Sequence, residues 1–197
     1  INLSKEFTLI GKTKTTIDLL YDGHSGLPFS LAYNGDANGD SQSGNDLLYV
    51  PKQGENKVRF ATAADETLFY QIVDRFGLTQ GETVQACSLR YPWVNTFDLS
   101  LKQEVKLPGW KHKLVVSLDF LNIGNMLNNK WGIIRGSNQF FVKRENVATV
   151  AYDGVAKQYV YSKVNSNLAN GGFAPALGRG EPAASRWSML FTARYEF

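Results

Sequence analysis

The last twelve residues, Arg186-Trp187-Ser188-Met189-Leu190-Phe191-Thr192-Ala193-Arg194-Tyr195-Glu196-Phe197, alternate between two kinds of side chain. Every second residue from Trp187 to Phe197 is apolar or aromatic, and those between are mostly charged or hydroxylated. A β-strand places the two sets on opposite faces. The pattern is typical of a transmembrane β-strand with aromatic residues at both lipid interfaces, and also of a sandwich strand with one buried face.

The length of this segment suits a membrane. The eight steps from Trp187 to Tyr195 span about 26 Å at about 3.3 Å each. A strand tilt of roughly 40° reduces this to about 20 Å along the membrane normal, close to the apolar band of about 25 Å in outer-membrane barrels.

Composition excludes several classes of protein. The chain has 197 residues and a net charge of +3, which is too balanced to indicate nucleic-acid binding. It has no long apolar run, which argues against a helical membrane protein. Cys87 is the only cysteine, so the chain has no internal disulfide, and we assign Cys87 no role.

The same alternation recurs along the chain. The predicted membrane-length strands are 1–10, 15–33, 93–107, 112–121 and 186–197, and the regions 34–92 and 122–185 are predicted long loops. Helical spacing over 62–76 predicts a helix in the first loop, capped at Asp65 and ended by Gly77. Asp153-Gly154 predicts a hairpin between 147–152 and 157–161 in the second.

The order of the connections favours a barrel over a sandwich. Short turns alternate with long loops, as in outer-membrane barrels with short periplasmic turns and long external loops. Trp93 and Trp187 fall at the loop ends of their strands, and Phe7, Trp110, Tyr195 and Phe197 fall at the opposite level. Five strands cannot close a barrel, and Ile1 begins directly on the alternating pattern. We therefore expect a piece of a longer protein, with the missing strands upstream or on a partner chain.

Two sets of side chains are candidates for contact with a substrate. The polar strand faces carry charges of both signs, predicted to form the lumen wall and to contact a plug or line a substrate path: Asp98, Lys102, Glu104, Asp119, Arg186, Arg194 and Glu196. Aromatic residues in the predicted loops are candidates for an external binding surface: Tyr49, Tyr91, Phe140, Phe141, Tyr159 and Tyr161.

One loop suggests a metal. Asp36, Asn38 and Asp40 have the D-x-N-x-D spacing of a calcium loop, and Asp46 or Asn45 is a candidate for a further ligand. Ser41 and Leu47 stand where an EF-hand needs glycine and glutamate, so this is not an EF-hand. The alternative is a solvated turn rich in Asx residues.

Catalytic motifs are not recognisable, and we expect no enzymatic activity. Gly23-His24-Ser25-Gly26 fails the G-x-S-x-G pattern because residue 27 is leucine. The only histidines, His24 and His112, fall on opposite sides of the predicted barrel, which argues against a triad or a two-histidine metal site.

Several segments together resemble the C-terminal end of TonB-dependent outer-membrane transporters of the Oar-like and SusC-like branch. They cover most of the chain outside about 130–185: Tyr21-Asp22-Gly23-His24-Ser25-Gly26-Leu27-Pro28-Phe29-Ser30, Tyr33-Asn34-Gly35-Asp36-Ala37-Asn38-Gly39-Asp40, Asn45-Asp46-Leu47-Leu48-Tyr49-Val50-Pro51, Arg90-Tyr91-Pro92-Trp93, Phe97-Asp98-Leu99-Ser100, Asp119-Phe120-Leu121-Asn122-Ile123-Gly124-Asn125-Met126-Leu127-Asn128 and Arg194-Tyr195-Glu196-Phe197.

The resemblance implies the C-terminal strands of a barrel of about 22 strands in the outer membrane of a Gram-negative bacterium. It implies upstream strands, a plug domain and a TonB-binding segment beyond this sequence, with outer-membrane lipid, TonB and a candidate surface lipoprotein as partners. It also implies that Tyr195 and Phe197 carry the signal for barrel assembly, besides anchoring the strand at the membrane interface.

The sequence therefore predicts a receptor that captures a substrate at external loops and passes it through a gated lumen. One alternative is a pore or structural barrel in an envelope assembly without TonB coupling. The other is a soluble all-β binding module. Detergent dependence separates the last from the first two, and a plug encoded upstream separates transporter from scaffold.

Overall fold

The computed structural model is mostly β and describes residues 1–9, 12–106, 109, 112–136, 144–173 and 185–197. The strands are β1 (Asn2–Thr8), β2 (Lys14–His24), β3 (Pro28–Asn34), β4 (Val58–Phe60), β5 (Leu89–Arg90), β6 (Val94–Lys106), β7 (Lys113–Leu121), β8 (Arg144–Asp153), β9 (Gln158–Ser162) and β10 (Ser188–Glu196). The helices are α1 (Ala63–Phe76), α2 (Ile123–Leu127) and α3 (Ser166–Ala169). Of the helices in these ranges, none has the length and apolar character needed to cross a lipid bilayer.

The chain divides into two compact units, each with its own five-stranded sheet. Unit 1 comprises Ile1–Gly26, Pro92–Ile134 and Pro175–Phe197, and unit 2 comprises Leu27–Tyr91 and Arg135–Ala174. Both segments of unit 2 are therefore insertions in chain order, one between β2 and β6 and the other between β7 and β10.

Unit 1 holds an antiparallel sheet in the order β1-β2-β6-β7-β10. Its register aligns mostly apolar residues across the five strands on one face. One row is Leu3, Leu19, Leu99, Phe120 and Met189; the next row on that face is Lys5, Ile17, Leu101, Leu118 and Phe191. The polar exceptions on this face, which we call the apolar face, are Lys5, Thr15, Asn95 and Gln103.

The opposite side of this sheet, the polar face, carries paired charges. Lys102 Nζ lies 3.0 Å from an Asp18 carboxylate oxygen, and Lys113 Nζ lies 3.0 Å from Glu104 and 3.1 Å from Glu196. The apolar exceptions on this face are Leu20, Val94, Val115, Leu121 and Leu190. The pairing of oppositely charged residues on neighbouring strands explains how a sheet face this rich in charge holds together.

The apolar face of unit 1 is exposed on the edge strands β1 and β10 and mostly half-buried on the inner strands. Leu3 exposes 60% of its surface, Met189 55% and Phe191 61%. Among the described residues, every member of the buried hydrophobic cluster belongs to unit 2. Water-exposed apolar surface on this scale marks an interaction surface.

Unit 2 has a mixed sheet in the order β4-β9-β8-β3-β5. β8 and β9 form an antiparallel hairpin, whereas β4 pairs with β9 and β3 pairs with β8 in parallel. Helix α1 packs its buried residues Phe69, Ile72 and Val73 against this sheet. Phe69 contacts the rings of Phe60 and Tyr161, so the helix joins a closed aromatic core.

Local signals set both ends of α1. The cap is Thr62, whose hydroxyl oxygen accepts a hydrogen bond from the Asp65 N–H at 3.1 Å. The predicted cap, Asp65, is wrong by three residues; its carboxylate instead accepts hydrogen bonds from the Thr62 hydroxyl and the Val164 N–H. Gly77 ends the helix as predicted, with φ of 60° in the left-handed region that glycine tolerates best.

The structure corrects the predicted strand 15–33. β2 ends at His24, and β3 begins at Pro28 in the sheet of the other unit. Alternation continues through both strands, but residues 25–27 lie between them, and Pro28, which supplies no N–H to a ladder, is the first residue of β3. The last strand begins at Ser188 rather than Arg186, so Arg186 and Trp187 precede it.

The structure also corrects the two predicted long loops, 34–92 and 122–185. Much of 34–92 and of 144–173 forms unit 2, with strands, a helix and a buried core. The hairpin predicted around Asp153-Gly154 is confirmed, with Tyr152 opposite Tyr159. The start of 34–92 is rich in Gly, Asn and Asp, which favours a loop locally, whereas the apolar residues of both regions meet largely through pairings between distant segments.

Candidate functional site

A tyrosine-rich pocket of about 880 Å³ opens in unit 2, which is within the usual size range of small-molecule sites. All its lining residues belong to unit 2, and we call it the tyrosine pocket: Tyr33, Ala37, Asn38, Asn45, Asp46, Leu47, Tyr49, Lys57, Val58, Thr83, Val150, Tyr152, Lys157, Tyr159 and Tyr161.

Strand register explains why four of these residues share one wall. In the β8–β9 hairpin Val150 pairs with Tyr161, and Tyr152 pairs with Tyr159. Residues two apart on a strand point to the same side, so both pairs lie on one face. Val58 of β4 pairs with Tyr159 and extends this wall.

Buried hydroxyl groups form the floor. The hydroxyls of Tyr33 and Tyr161 hydrogen-bond each other, and each lies 3.2 Å from the carbonyl oxygen of Tyr49. The Tyr49 N–H donates to the Tyr33 hydroxyl oxygen at 2.8 Å. Burial raises the pKa of Tyr33 to about 12 and raises that of Tyr161 further, so both stay neutral at ordinary pH.

A fixed carboxylate supports the third tyrosine. The Tyr49 hydroxyl donates to both Glu55 oxygens, at 3.0 and 2.9 Å. The Lys52 N–H and the Tyr49 hydroxyl lower the pKa of Glu55, which therefore remains a carboxylate. Burial and Glu55 together raise the pKa of Tyr49, so its hydroxyl keeps its proton.

A polar loop forms the rim and contains the predicted calcium ligands. Asp46 Oδ2 accepts hydrogen bonds from the N–H groups of Ala37 and Asn38, at 2.6 and 3.3 Å. Gly35 lets this loop approach β8, since a Cβ on Gly35 would lie 2.6 Å from the Val150 carbonyl oxygen, and its φ of 135° also favours glycine. Of the predicted set, Asn38 and Asp46 line the pocket, and Asp36 and Asp40 do not.

The loop's carboxylates are directed at N–H groups. Asp36 accepts from the Gly39 and Ser41 N–H groups, at 2.6 and 2.8 Å. Asp40 accepts from the Gln42 N–H and from two asparagine side chains, which lowers its pKa. Within the described ranges, no three Asp, Glu, His or Cys side chains are grouped to hold a metal ion. Calcium binding therefore stays a prediction.

The predicted lumen residues lie in unit 1. Six residues of the predicted lumen set lie on the polar face of the unit 1 sheet: Asp98, Lys102, Glu104, Asp119, Arg194 and Glu196. The Asn122 N–H donates to Asp98 at 2.7 Å, and Ser117 Oγ donates to Asp119 at 3.1 Å. Arg186 lies before β10 and outside this sheet.

Aromatic residues of unit 1 lie at both ends of the sheet, as predicted from spacing. β6 and β10 run in the same direction, so Trp93 and Trp187, which precede them, lie at the same end. The Tyr21 and Phe97 rings, 5.0 Å apart, lie near that end, and Phe7, Tyr195 and Phe197 lie toward the other. His24 and His112 also lie at opposite ends.

Of the predicted aromatic binding surface, three residues meet in the tyrosine pocket: Tyr49, Tyr159 and Tyr161. Tyr91 is instead buried and stacks on Phe29 with ring centroids 4.3 Å apart. Phe140 and Phe141 lie outside the described residues. Sequence reasoning missed Tyr33, Tyr152, Lys57 and Lys157; Tyr152 and Tyr159 pair because the hairpin turn comprises residues 154–157.

The chain was compared with protein-family models, curated proteins and solved structures, and none of these comparisons found a match.

Proposed function

We propose that this chain is the C-terminal part of a TonB-dependent outer-membrane receptor. In this proposal the sheet of unit 1 is a section of the barrel wall, its apolar face turned to lipid and its polar face to the lumen. Unit 2 is an extracellular portion that captures the substrate in the tyrosine pocket. The substrate then passes through the lumen in a step energised through TonB.

The observation that carries the proposal is the exposed apolar face of unit 1. Its rows run in register across five strands, and Phe191, at the middle of its strand, exposes 61% of its surface. In water such a face favours aggregation, whereas in a bilayer it is the expected outer surface of a barrel strand. Aromatic residues at both ends of the sheet fit the two lipid interfaces.

The sheet's edges also support the proposal. Within the described residues, β1 and β10 are the edge strands and each pairs on one side only. Unpaired backbone groups in a bilayer cost several kcal/mol each, so a membrane sheet of this kind needs further strands to close it. This agrees with a longer native polypeptide.

Adjacent cysteine variants test the orientation of the sheet. In native polypeptide carrying Cys87→Ser, Phe191→Cys places a thiol on the apolar face, and Thr192→Cys places one on the polar face. We expect a maleimide dissolved in the lipid to label residue 191 and a water-soluble maleimide to label residue 192. Equal labelling by the aqueous reagent, in a polypeptide that stays soluble without detergent, would overturn the proposal and favour the soluble binding module.

Energy coupling needs a separate test. Deleting TonB in cells that make the native polypeptide is expected to abolish uptake of its ligand while leaving binding at the cell surface intact. Uptake that continues without TonB would favour the pore or structural barrel instead.

A further inference from the structure

We propose that the tyrosine pocket binds a small organic anion with a flat ring system, such as an aromatic carboxylate. The inference deepens the proposed function by naming a ligand class, and its meaning for transport rests on that function. The pocket itself lies wholly within unit 2, so ligand binding can be tested apart from membrane insertion.

Two lysines at one end of the pocket supply the positive charge. Lys57 immediately precedes β4 and Lys157 immediately precedes β9. These strands are parallel neighbours, and the Tyr159 N–H donates to the Lys57 carbonyl oxygen at 2.9 Å. Parallel strands begin at the same end of a sheet, so residues a hundred positions apart in the chain form one cationic edge.

The carboxylates near this edge are held by other groups. Asp46, the one carboxylate in the lining, accepts hydrogen bonds from two backbone N–H groups. Glu55 lies 3.5 Å from Lys57 Nζ but also holds the Tyr49 hydroxyl and the Lys52 N–H. Asp153 in the neighbouring turn pairs with Arg59 at 3.1 Å. Among the described residues Lys157 has no ion-pair partner, so it is the cation most open to a ligand's negative charge.

Aromatic rings supply the second part of the specificity. Tyr152 and Tyr159 face each other across the hairpin with ring centroids 5.2 Å apart, and Tyr152 exposes 58% of its surface. Val58, Val150 and Leu47 add apolar surface to the lining. Flat rings pack well against such walls, and a volume of about 880 Å³ leaves room for a fused ring system or a larger molecule.

A matched pair of probes separates charge from ring packing. We expect the 197-residue chain in detergent to bind 2-naphthoate more tightly than the uncharged 2-naphthamide, measured by isothermal titration with detergent alone as the blank. Lys157→Gln should weaken 2-naphthoate binding about fivefold, as expected for a partly exposed ion pair, and leave 2-naphthamide unchanged. Lys163→Gln, a change outside the lining just after β9, is the matched control and should change neither.

A ring variant completes the test. Tyr152→Leu keeps apolar bulk at an exposed position and should weaken both probes about equally. Equal affinity for acid and amide, unchanged affinity in Lys157→Gln, or no binding of either probe would each overturn the inference. None of these outcomes bears on the labelling of residues 191 and 192, so failure of the ligand class and failure of the membrane proposal remain distinguishable.

Discussion

Phe69 in unit 2 and Phe191 in unit 1 are the same residue in sharply different surroundings. Phe69 exposes none of its surface and contacts the rings of Phe60, Tyr70 and Tyr161. Phe191 exposes 61% and lies in a row that is apolar on four of the five strands, with Lys5 on the fifth. Unit 2 thus has a buried apolar core, whereas unit 1 has ordered backbone pairing and carries exposed apolar side chains on one face.

The difference teaches what each sheet needs in order to be stable. In unit 2, apolar burial within the chain supplies the driving force, at about 25 cal/mol per Å² of buried apolar surface. In unit 1, the ladder hydrogen bonds and the paired charges of the polar face are present, whereas the apolar face is exposed on the edge strands. The exposed face is therefore the part of the chain that depends most on its environment.

Tryptophan and tyrosine let the two units be followed separately. All four tryptophans fall in the ranges of unit 1, and seven of the nine tyrosines fall in those of unit 2. Tryptophan fluorescence therefore reports on unit 1, and tyrosine absorbance reports mainly on unit 2.

The largest expected effect is loss of the core ring in unit 2. Phe69→Ala should lower the free energy of unfolding of unit 2 by about 3–5 kcal/mol, because it removes a ring that contacts three others and leaves a cavity in the core. Urea unfolding followed by tyrosine absorbance measures the change. Phe191→Ala, the matched change in unit 1, should leave the unfolding transition followed by tyrosine absorbance (the tyrosine transition) unchanged. A loss below about 1 kcal/mol for Phe69→Ala would contradict the closed core.

A charge on the apolar face of unit 1 tests the other half of the comparison. In native polypeptide folded into lipid vesicles, Phe191→Arg should lower the free energy of unfolding by about 2–4 kcal/mol. Residue 191 lies midway between Trp187 and Tyr195, so the proposal places its charge near the middle of the bilayer. Thr192→Arg, on the polar face, should change the free energy of unfolding only slightly. Denaturant unfolding followed by tryptophan fluorescence provides both numbers, and equal costs would show that the apolar face does not contact lipid.

The buried tyrosine pair predicts loss of stability in alkali. The pKa of Tyr33 is raised to about 12, above its ordinary value near 10, so the folded state keeps a proton that the unfolded state releases. Stability from this group is intact below pH 10 and declines as the pH rises toward 12.

Unfolding of unit 2 at several pH values between 9 and 12 measures this decline. Tyr33→Phe should reduce the pH dependence, although it also removes the acceptor for the Tyr49 N–H. Tyr152→Phe, at an exposed position, should leave the pH dependence as it is. A steep decline that persists in Tyr33→Phe would point to another group.

Calcium binding predicts the smallest effect. If the loop of Asp36, Asn38, Asp40 and Asp46 binds calcium as weakly as many extracellular modules, calcium at ten times the dissociation constant stabilises unit 2 by about 1.4 kcal/mol. The tyrosine transition should then shift upward with calcium, and the double variant Asp36→Asn, Asp40→Asn should not respond. An unchanged transition in the original chain would favour the Asx-rich turn, whose carboxylates already accept N–H groups.

Local patterns in the sequence determined much of the fold. Period-two alternation predicted the strands of unit 1 and which residues share each face, because successive side chains of a strand point in opposite directions. Glycine after the last apolar residue predicted the end of α1, and Asp153-Gly154 predicted the β8–β9 hairpin. These signals act within a few residues of the chain, so they can be read without knowing the rest of the molecule.

Only the tertiary structure decided which distant segments meet. The alternation from Thr15 to Tyr33 does not reveal that β2 and β3 belong to different sheets. The parallel pairing of β4 with β9 brings Lys57 to Lys157, and the Tyr33–Tyr161 contact joins residues on strands far apart in the chain. Such pairings depend on how the whole core of unit 2 packs, and no local pattern encodes them. The tyrosine pocket exists because of that packing, whereas the apolar face of unit 1 can be read directly from the alternation of its strands.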